Sequence, residues 1–371
     1  MNKAIILHGT LGSPEGNWFR WLEAELKDKG IEVWLPQLPH AEQPKLSEWL
    51  EFVAENCPFA IDEQTLVVGH SSGGLLALAL AGYIQQPIGA VVGVSAFYQT
   101  GVPIVATDWG PNAALFDYEP DWDFIRGTVN NRLLLHSDDD PYIPLEVAKS
   151  LAARLEAELI TIPGQGHFNL EKSEVYYRND ILLSLLRERG LVPHESIMIV
   201  DEQDSPIGEA SMQEAQDKGL WHRVVRCVVQ DAKGRWLLQK RQSFLFTNPG
   251  KWDMSATGHV DPGEDYEAAA HRELKEEVGI DRAELVEWFR ETTEFTKGPK
   301  QYRRFNRTYK VPYSGQVITP NLAEVSEAKW FTRVELEALL DEAAELASEK
   351  LIELITRSTQ HNNEGDTDGL G

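Results

Sequence analysis

The chain has 371 residues, 42% hydrophobic and 25% charged, a balance that excludes a disordered or fibrous protein and, at this length, suits two domains. A formal net charge of -24 excludes a general affinity for nucleic acid, which rests on basic surface. The two cysteines, Cys57 and Cys227, are too few for a disulfide framework and suit a reducing cytoplasm. The longest apolar run, LLALALAGYI, is far short of the roughly 20 residues that cross a bilayer, so no membrane role is expected.

In chain order, MNKAIILHGT passes from its apolar run straight into His8 and Gly9, the pattern of a first strand rather than of a signal peptide. KAIILHG, IEVWLP, TLVVGH, GAVVGVS, RLLLHS and ELITIP are short apolar runs ending in polar or glycine-rich turns, separated by amphipathic segments. Such alternation predicts a parallel sheet with helices on both faces, hence an α/β fold. Trp18, Trp21, Leu22 and Leu26 fall at helical spacing, with Gly30 where a helix ends. After DILLSLLRERG the pattern changes to alternating strands such as WHRVVRCVVQ and GRWLLQKRQ. The expected organisation is one domain over 1–190, a second over 195–358, and a polar, disordered tail over 359–371. No internal repeat is visible, and nothing in the sequence speaks to oligomeric state.

TLVVGHSSGGLLALAL sets Gly69-His70-Ser71-Ser72-Gly73, a G-x-S-x-G pattern, between a strand and an apolar helix, the context this motif requires. A strand turning directly into a helix strains its central residue, and flanking glycines let the backbones pass. A serine hydroxyl needs a base, and the base needs a carboxylate to orient it. His167 follows the strand ELITIP, and Asp138, Asp139 and Asp140 follow RLLLHS; charge alone does not choose among the three. Ser71 as a mere helix cap leaves the other two placements unexplained. Four further histidines, His8, His70, His40 and His136, read as packing or turn residues or carry no argument.

These residues resemble the α/β-hydrolase superfamily, most closely the small retinoblastoma-binding-protein type of serine hydrolase, with its D-x-x-hydrophobic-P signature. Asp140-Pro141-Tyr142-Ile143-Pro144 fits that signature, so the resemblance assigns the acid to Asp140, with Asp139 as the fallback. It covers roughly residues 1–190 and implies a triad of Ser71, Asp140 and His167. The oxyanion hole would use backbone N–H groups of Ser72 and of Thr10 or Leu11. The implied reaction is acyl transfer from an ester, thioester or amide to water; the acyl group itself is not legible.

In AHRELKEEVGI, a helical wheel puts Tyr266, Ala269, Ala270, Leu274 and Val278 on one stripe with Glu273 and Glu277, and Glu276 at its flank. Asp265, His271, Arg272 and Lys275 point away. Carboxylates at i, i+3 and i+4 repel one another, and partial burial adds a desolvation cost, so a cation is expected among them. An oxygen-only cluster suits Mg²⁺ or Mn²⁺.

GHVDPGEDYEAAAHRELKEEVGI matches the Nudix hydrolase box, G-x5-E-x7-R-E-U-x-E-E-x-G-U with U aliphatic, at every specified position from Gly258 to Ile280. The resemblance implies a mixed-sheet α/β/α sandwich, with Glu273, Glu276, Glu277 and the Gly258 carbonyl as metal ligands and Arg272 as the partner of Glu264. It further implies attack of water on a small-molecule diphosphate, such as a nucleoside diphosphate derivative. The surrounding sequence is similar to the isopentenyl-diphosphate-isomerase-like branch of that superfamily, with His222 and His259 at matching positions. The isomerase cysteine, however, is matched by Thr257 and its first metal histidine by Ala215. A nucleotide-sensing module is the alternative reading for this half. Glu324 is a further candidate carboxylate; Arg223, Lys240 and Arg241 read as solubilising residues or phosphate contacts.

Overall fold

The computed structural model describes residues 1–98, 112, 114–170 and 177–364, and the chain divides into two units, Met1–Val192 and Pro193–Gly371. In the first, the six apolar runs become strands β1 (Lys3–Leu7), β2 (Glu32–Trp34), β3 (Thr65–His70), β4 (Ala90–Val94), β5 (Asn131–Ser137) and β6 (Glu158–Ile162). They form one sheet in the order β2-β1-β3-β4-β5-β6, and every neighbouring pair is parallel. Parallel neighbours need crossovers, supplied by α1 (Phe19–Asp28), α2 (Leu46–Asn56), α3 (Ser72–Ile84), α4 (Trp122–Thr128) and α5 (Leu145–Leu155), with α6 (Asp180–Glu188) closing the unit. Helix α3 is apolar all round and buried from Ser72 to Gly82, as a central helix must be. Trp49, Leu75, Val91, Leu134 and Leu151 lie in the core around it. Because all six strands run one way, the segments after β1, β3, β5 and β6 leave the same edge of the sheet, where sites of such folds lie.

The second unit contains β7 (Ser196–Val200), β8 (Pro206–Ser211), α7 (Met212–Lys218), β9 (Trp221–Gln230), β10 (Trp236–Arg241), β11 (Trp252–Asp253), β12 (Ala256–His259) and α8 (Tyr266–Val278). It continues through β13 (Val286–Lys297), β14 (Lys300–Pro312), β15 (Val325–Phe331), α9 (Arg333–Glu342) and α10 (Glu349–Glu364). Its sheet is mixed: β14 runs parallel to β9, whereas β10, β12 and β7 run antiparallel to it.

Strand β9 shows why this sheet is covered twice. Val225, Cys227 and Val229 pack with Ala269, Ala270, Leu274 and Val278 of α8, while Val228 belongs to the opposite core with Trp236, Phe331, Leu351 and Ile355. A period of two sends alternate side chains to opposite faces, so an apolar strand supplies both cores. Helix α8 is capped by Asp265, whose side chain accepts from the Ala268 N–H, and ends at Gly279 with φ 76°. Helix α10 runs through Glu364, past residue 359 where the sequence suggests a tail; residues 365–371 lie outside the described residues. Among the described residues no helix is long and apolar enough to cross a membrane.

Candidate active sites

Ser71 joins β3 to α3 with φ 56° and ψ -122°, a conformation an L-residue adopts only where its surroundings impose it. Its N–H is fixed on the Val94 carbonyl at 2.8 Å. The flanking glycines are required by contact. A Cβ at Gly69 would lie 2.0 Å from the Gly73 carbonyl oxygen, and one at Gly73 would lie 2.3 Å from the His8 carbonyl oxygen. The β1 turn presses on the same point, since a Cβ at Gly9 would come within 3.0 Å of Ser71 Cβ.

The three consecutive aspartates are separated by what they hold. Asp138 accepts from the Gly164 N–H at 2.9 Å and Asp139 from the Gly166 N–H at 2.6 Å, so both anchor the segment leading to His167. Asp140, its side chain wholly covered, receives His167 Nδ1–H on Oδ2 at 2.8 Å and the Tyr142 and Ile143 N–H groups on Oδ1 at 3.0 Å each. Burial opposes its ionisation. The bonds and charge of His167, with the two backbone donors, outweigh that and hold the carboxyl below its ordinary value.

His167 is 7% exposed and lies beside the elbow: its ring is 4.9 Å from the His70 ring, and His70 Nε2–H donates to its carbonyl at 2.8 Å. Burial, reinforced by neighbouring His167, pushes the His70 pKa down to about 3, so His70 is a neutral packing residue. His8 is likewise structural. Its Nδ1–H donates to Gly9 O at 2.9 Å and its Nε2 accepts from the Leu38 N–H at 3.0 Å. His136 Nε2 is committed to Ile143 O at 2.9 Å.

The expected oxyanion donors stand differently from one another. Ser72 is the first residue of α3, where N–H groups have no partner within the helix. The Thr10 N–H donates to Ser72 Oγ at 2.7 Å, and the Leu11 N–H to the Ala41 carbonyl at 2.7 Å. Asn112, which sequence reasoning does not single out, accepts the Thr10 hydroxyl.

In the second unit Glu273 and Glu277 are 8% and 1% exposed on the packed side of α8. Glu277 Oε2 accepts from the Thr257 N–H at 2.9 Å and from Gln239 Nε2 at 2.8 Å; Oε1 is buried with no partner among the described residues. Glu273 lies on β12, where a Cβ at Gly258 would stand 1.9 Å from its Oε1, so only glycine fits there. Burial raises the Glu277 carboxyl well above its usual range, and the charges of Glu324 and Glu273 add to the shift. Burial raises Glu273 too, against the pull of Arg272.

Two directions read from the wheel are corrected here. Glu276 is turned outward, its side chain 52% exposed, and Arg272 does not point away. Arg272 reaches back to Glu264 at 2.9 and 3.0 Å, to Glu273 at 2.8 Å, to Glu276 at 3.2 Å and to the His259 carbonyl at 2.8 Å. A wheel gives the direction of Cβ, and a guanidinium on three methylenes reaches past it. Among the described residues no three His, Cys, Asp or Glu side chains converge as a ready metal cage. Arg223 is bound to Asp204 at 2.7 Å, a structural role.

Family models match both units, a serine hydrolase over residues 4–177 and a NUDIX domain over residues 220–354. The putative hydrolase YdeN of Bacillus subtilis is 28% identical over 171 residues, 45% of this chain and 87% of that protein. Isopentenyl-diphosphate Delta-isomerase 2 of Photorhabdus laumondii is 35% identical over 153 residues, 41% of this chain and 85% of its own. An uncharacterized Nudix hydrolase of Clostridium acetobutylicum is 33% identical over 180 residues, 46% of this chain and 82% of its own. The chain is a serine hydrolase domain followed by a NUDIX domain. Both belong to hydrolase families, and the protein is an enzyme.

In the serine hydrolase domain the elbow glycines and the buried histidines give two tests. Gly73→Ala forces α3 away from the end of β1 and is expected to cost about 3 kcal/mol or more, read as a lower urea midpoint. His70 takes a proton at about pH 6.5 when unfolded but near 3 when folded, so the unfolded state binds more protons between those values. Stability conferred by neutral His70 is therefore intact above pH 6.5 and declines as pH falls toward 3. Urea unfolding from pH 8 to 5 should show the midpoint falling below about pH 6.5.

Proposed function

We propose that the protein is a bifunctional hydrolase, cleaving an acyl ester, thioester or amide in its serine hydrolase domain and a diphosphate in its NUDIX domain. The observation that carries the first half is the covered Asp140 carboxylate holding His167 Nδ1–H at 2.8 Å beside an elbow serine with φ 56°. With Nδ1–H held, Nε2 is the lone-pair nitrogen that takes the Ser71 proton as Oγ attacks the acyl carbon. His167 then gives that proton to the leaving group, and water repeats the sequence on the acyl-serine. The oxyanion of each tetrahedral intermediate is assigned to the Ser72 and Thr10 N–H groups, Thr10 giving up its bond to Ser72 Oγ. Leu11 fits less well, its N–H being engaged by Ala41.

For the second half, the carrying observation is the buried Glu277 with an unpartnered Oε1 next to buried Glu273. Such a pair fits a divalent cation, Mg²⁺ or Mn²⁺, which Glu273, Glu277 and the Gly258 carbonyl would hold, with Glu276 joining them only by turning inward from its exposed position beside Arg272. The bound ion would polarise phosphoryl oxygens and lower the pKa of attacking water. Thr257 and Gln239 hold Glu277 in place, and Arg272 fixes the Glu264 loop against α8. The substrate is a small-molecule diphosphate, a nucleoside diphosphate derivative in the first instance. The isomerase activity named for the Photorhabdus laumondii relative is not assigned, because Thr257 stands at the cysteine position and its hydroxyl is spent on Val225 O at 3.2 Å. Free cysteines at 57 and 227 suit a reducing cytoplasm.

Ser71→Ala should lower p-nitrophenyl ester hydrolysis by roughly 10⁴-fold or more and abolish fluorophosphonate labelling. Retention of either would exclude the triad. Glu277→Gln should remove Mg²⁺-dependent phosphate or monophosphate release from nucleoside diphosphate derivatives while ester hydrolysis persists. Nucleotide binding without any such release in the wild type would make the domain a sensor.

A further inference from the structure

The face of the second sheet opposite α8 carries polar side chains that the diphosphate reading does not use. Strands β9 and β14 place His222 opposite Arg304, and β12 places His259 opposite Val224. Paired residues, and residues two apart, share a face. Arg304, His222 and His259 are therefore together on one side, while Gly258, one residue before His259, meets Glu273 on the other. The two imidazole rings stand 5.4 Å apart, and His222 is fully buried.

Arg304 Nε, His222 Nε2 and His259 Nε2 are all covered, and none has a hydrogen-bond partner among the described residues. His222 is anchored through Nδ1 on the Leu220 carbonyl at 3.0 Å, which leaves Nε2 as its free atom. Arg226, next along this face, has its own partners, Glu291 at 2.9 Å and Asn306 at 2.8 Å. The Tyr302 and Phe295 rings lie beside Arg304, 5.0 Å and 5.8 Å from the guanidinium carbon. Burial, then the charge of Arg226, pushes its pKa down to about 10, against a smaller opposing pull from Tyr302. An isolated cation under cover is costly, and a guanidinium is shaped to receive two oxygens of one anion.

We propose that Arg304, His222 and His259 form a binding site for an oxyanion, the phosphoryl or carboxylate group of a small ligand. Arg304 supplies charge and N–H donors, and the two imidazoles hydrogen-bond the remaining oxygens. Two histidines alone would suit a metal ion as well, but the guanidinium beside them repels one. The site is on the opposite face from the glutamates, so its test does not depend on the diphosphate reading.

The full-length protein is titrated calorimetrically with inorganic phosphate, and separately with acetate, at fixed ionic strength and with a chelator present. Wild type is expected to bind one of the two saturably, and which one separates phosphoryl from carboxylate ligands. Arg304→Gln should weaken that binding at least tenfold, and Arg304→Lys should keep part of it. Without oxyanion, Arg304→Gln should unfold at or above the wild-type midpoint, because an uncompensated charge has been removed. Saturation by neither anion, unchanged binding in Arg304→Gln, or a clear fall in its midpoint would overturn the assignment.

Discussion

Charge removed from water without a full set of partners is the constraint on which the two halves of this protein turn. Moving an ionised group under cover costs several kcal/mol unless opposite charge and hydrogen bonds replace the lost hydration. Asp140 meets that condition within the chain, through His167 and two backbone N–H groups. Glu277 meets it on one oxygen and not on the other. Asp140 is thus compensated by its own chain, whereas Glu277 keeps one buried oxygen without a partner among the described residues.

The fold creates both situations by the same means, a rigid element meeting a strand where only glycine fits. At the elbow, Gly69 and Gly73 let α3 start directly above β3, which holds Ser71 at φ 56° at the end of the strand. At β12, Gly258 leaves the volume of one side chain empty, and the Glu273 carboxylate fills it. In each case a missing Cβ brings a reactive or charged group closer to backbone than any other residue would permit.

The strands of the first unit were legible because a sheet covered on both faces leaves unbroken apolar runs such as TLVV and RLLL. The elbow was legible from its glycines. Which of Asp138, Asp139 and Asp140 bonds His167 is not legible from charge; it is decided by hydrogen bonds to Gly164, Gly166 and His167, which depend on how the β6 segment folds back. On α8 the period of 3.6 placed Glu273 and Glu277 correctly, but it misdirected Arg272, whose reach exceeds its Cβ vector. Arg304 was invisible in QYRRFNRTYK, because alternate residues there belong to opposite faces and only the pairing of β14 with β9 tells which. Residues 359–364, polar and read as tail, are helical as the continuation of α10.

The proposal that the buried Glu273–Glu277 pair holds a divalent cation is open to direct measurement. Electron paramagnetic resonance of Mn²⁺ added to metal-free protein would report it, since bound Mn²⁺ loses the sharp six-line signal of the free ion. A bound ion gives saturable loss of that signal in the intact chain, reversed by competing Mg²⁺. A free-ion signal that rises in proportion to added Mn²⁺ from the first addition would contradict it.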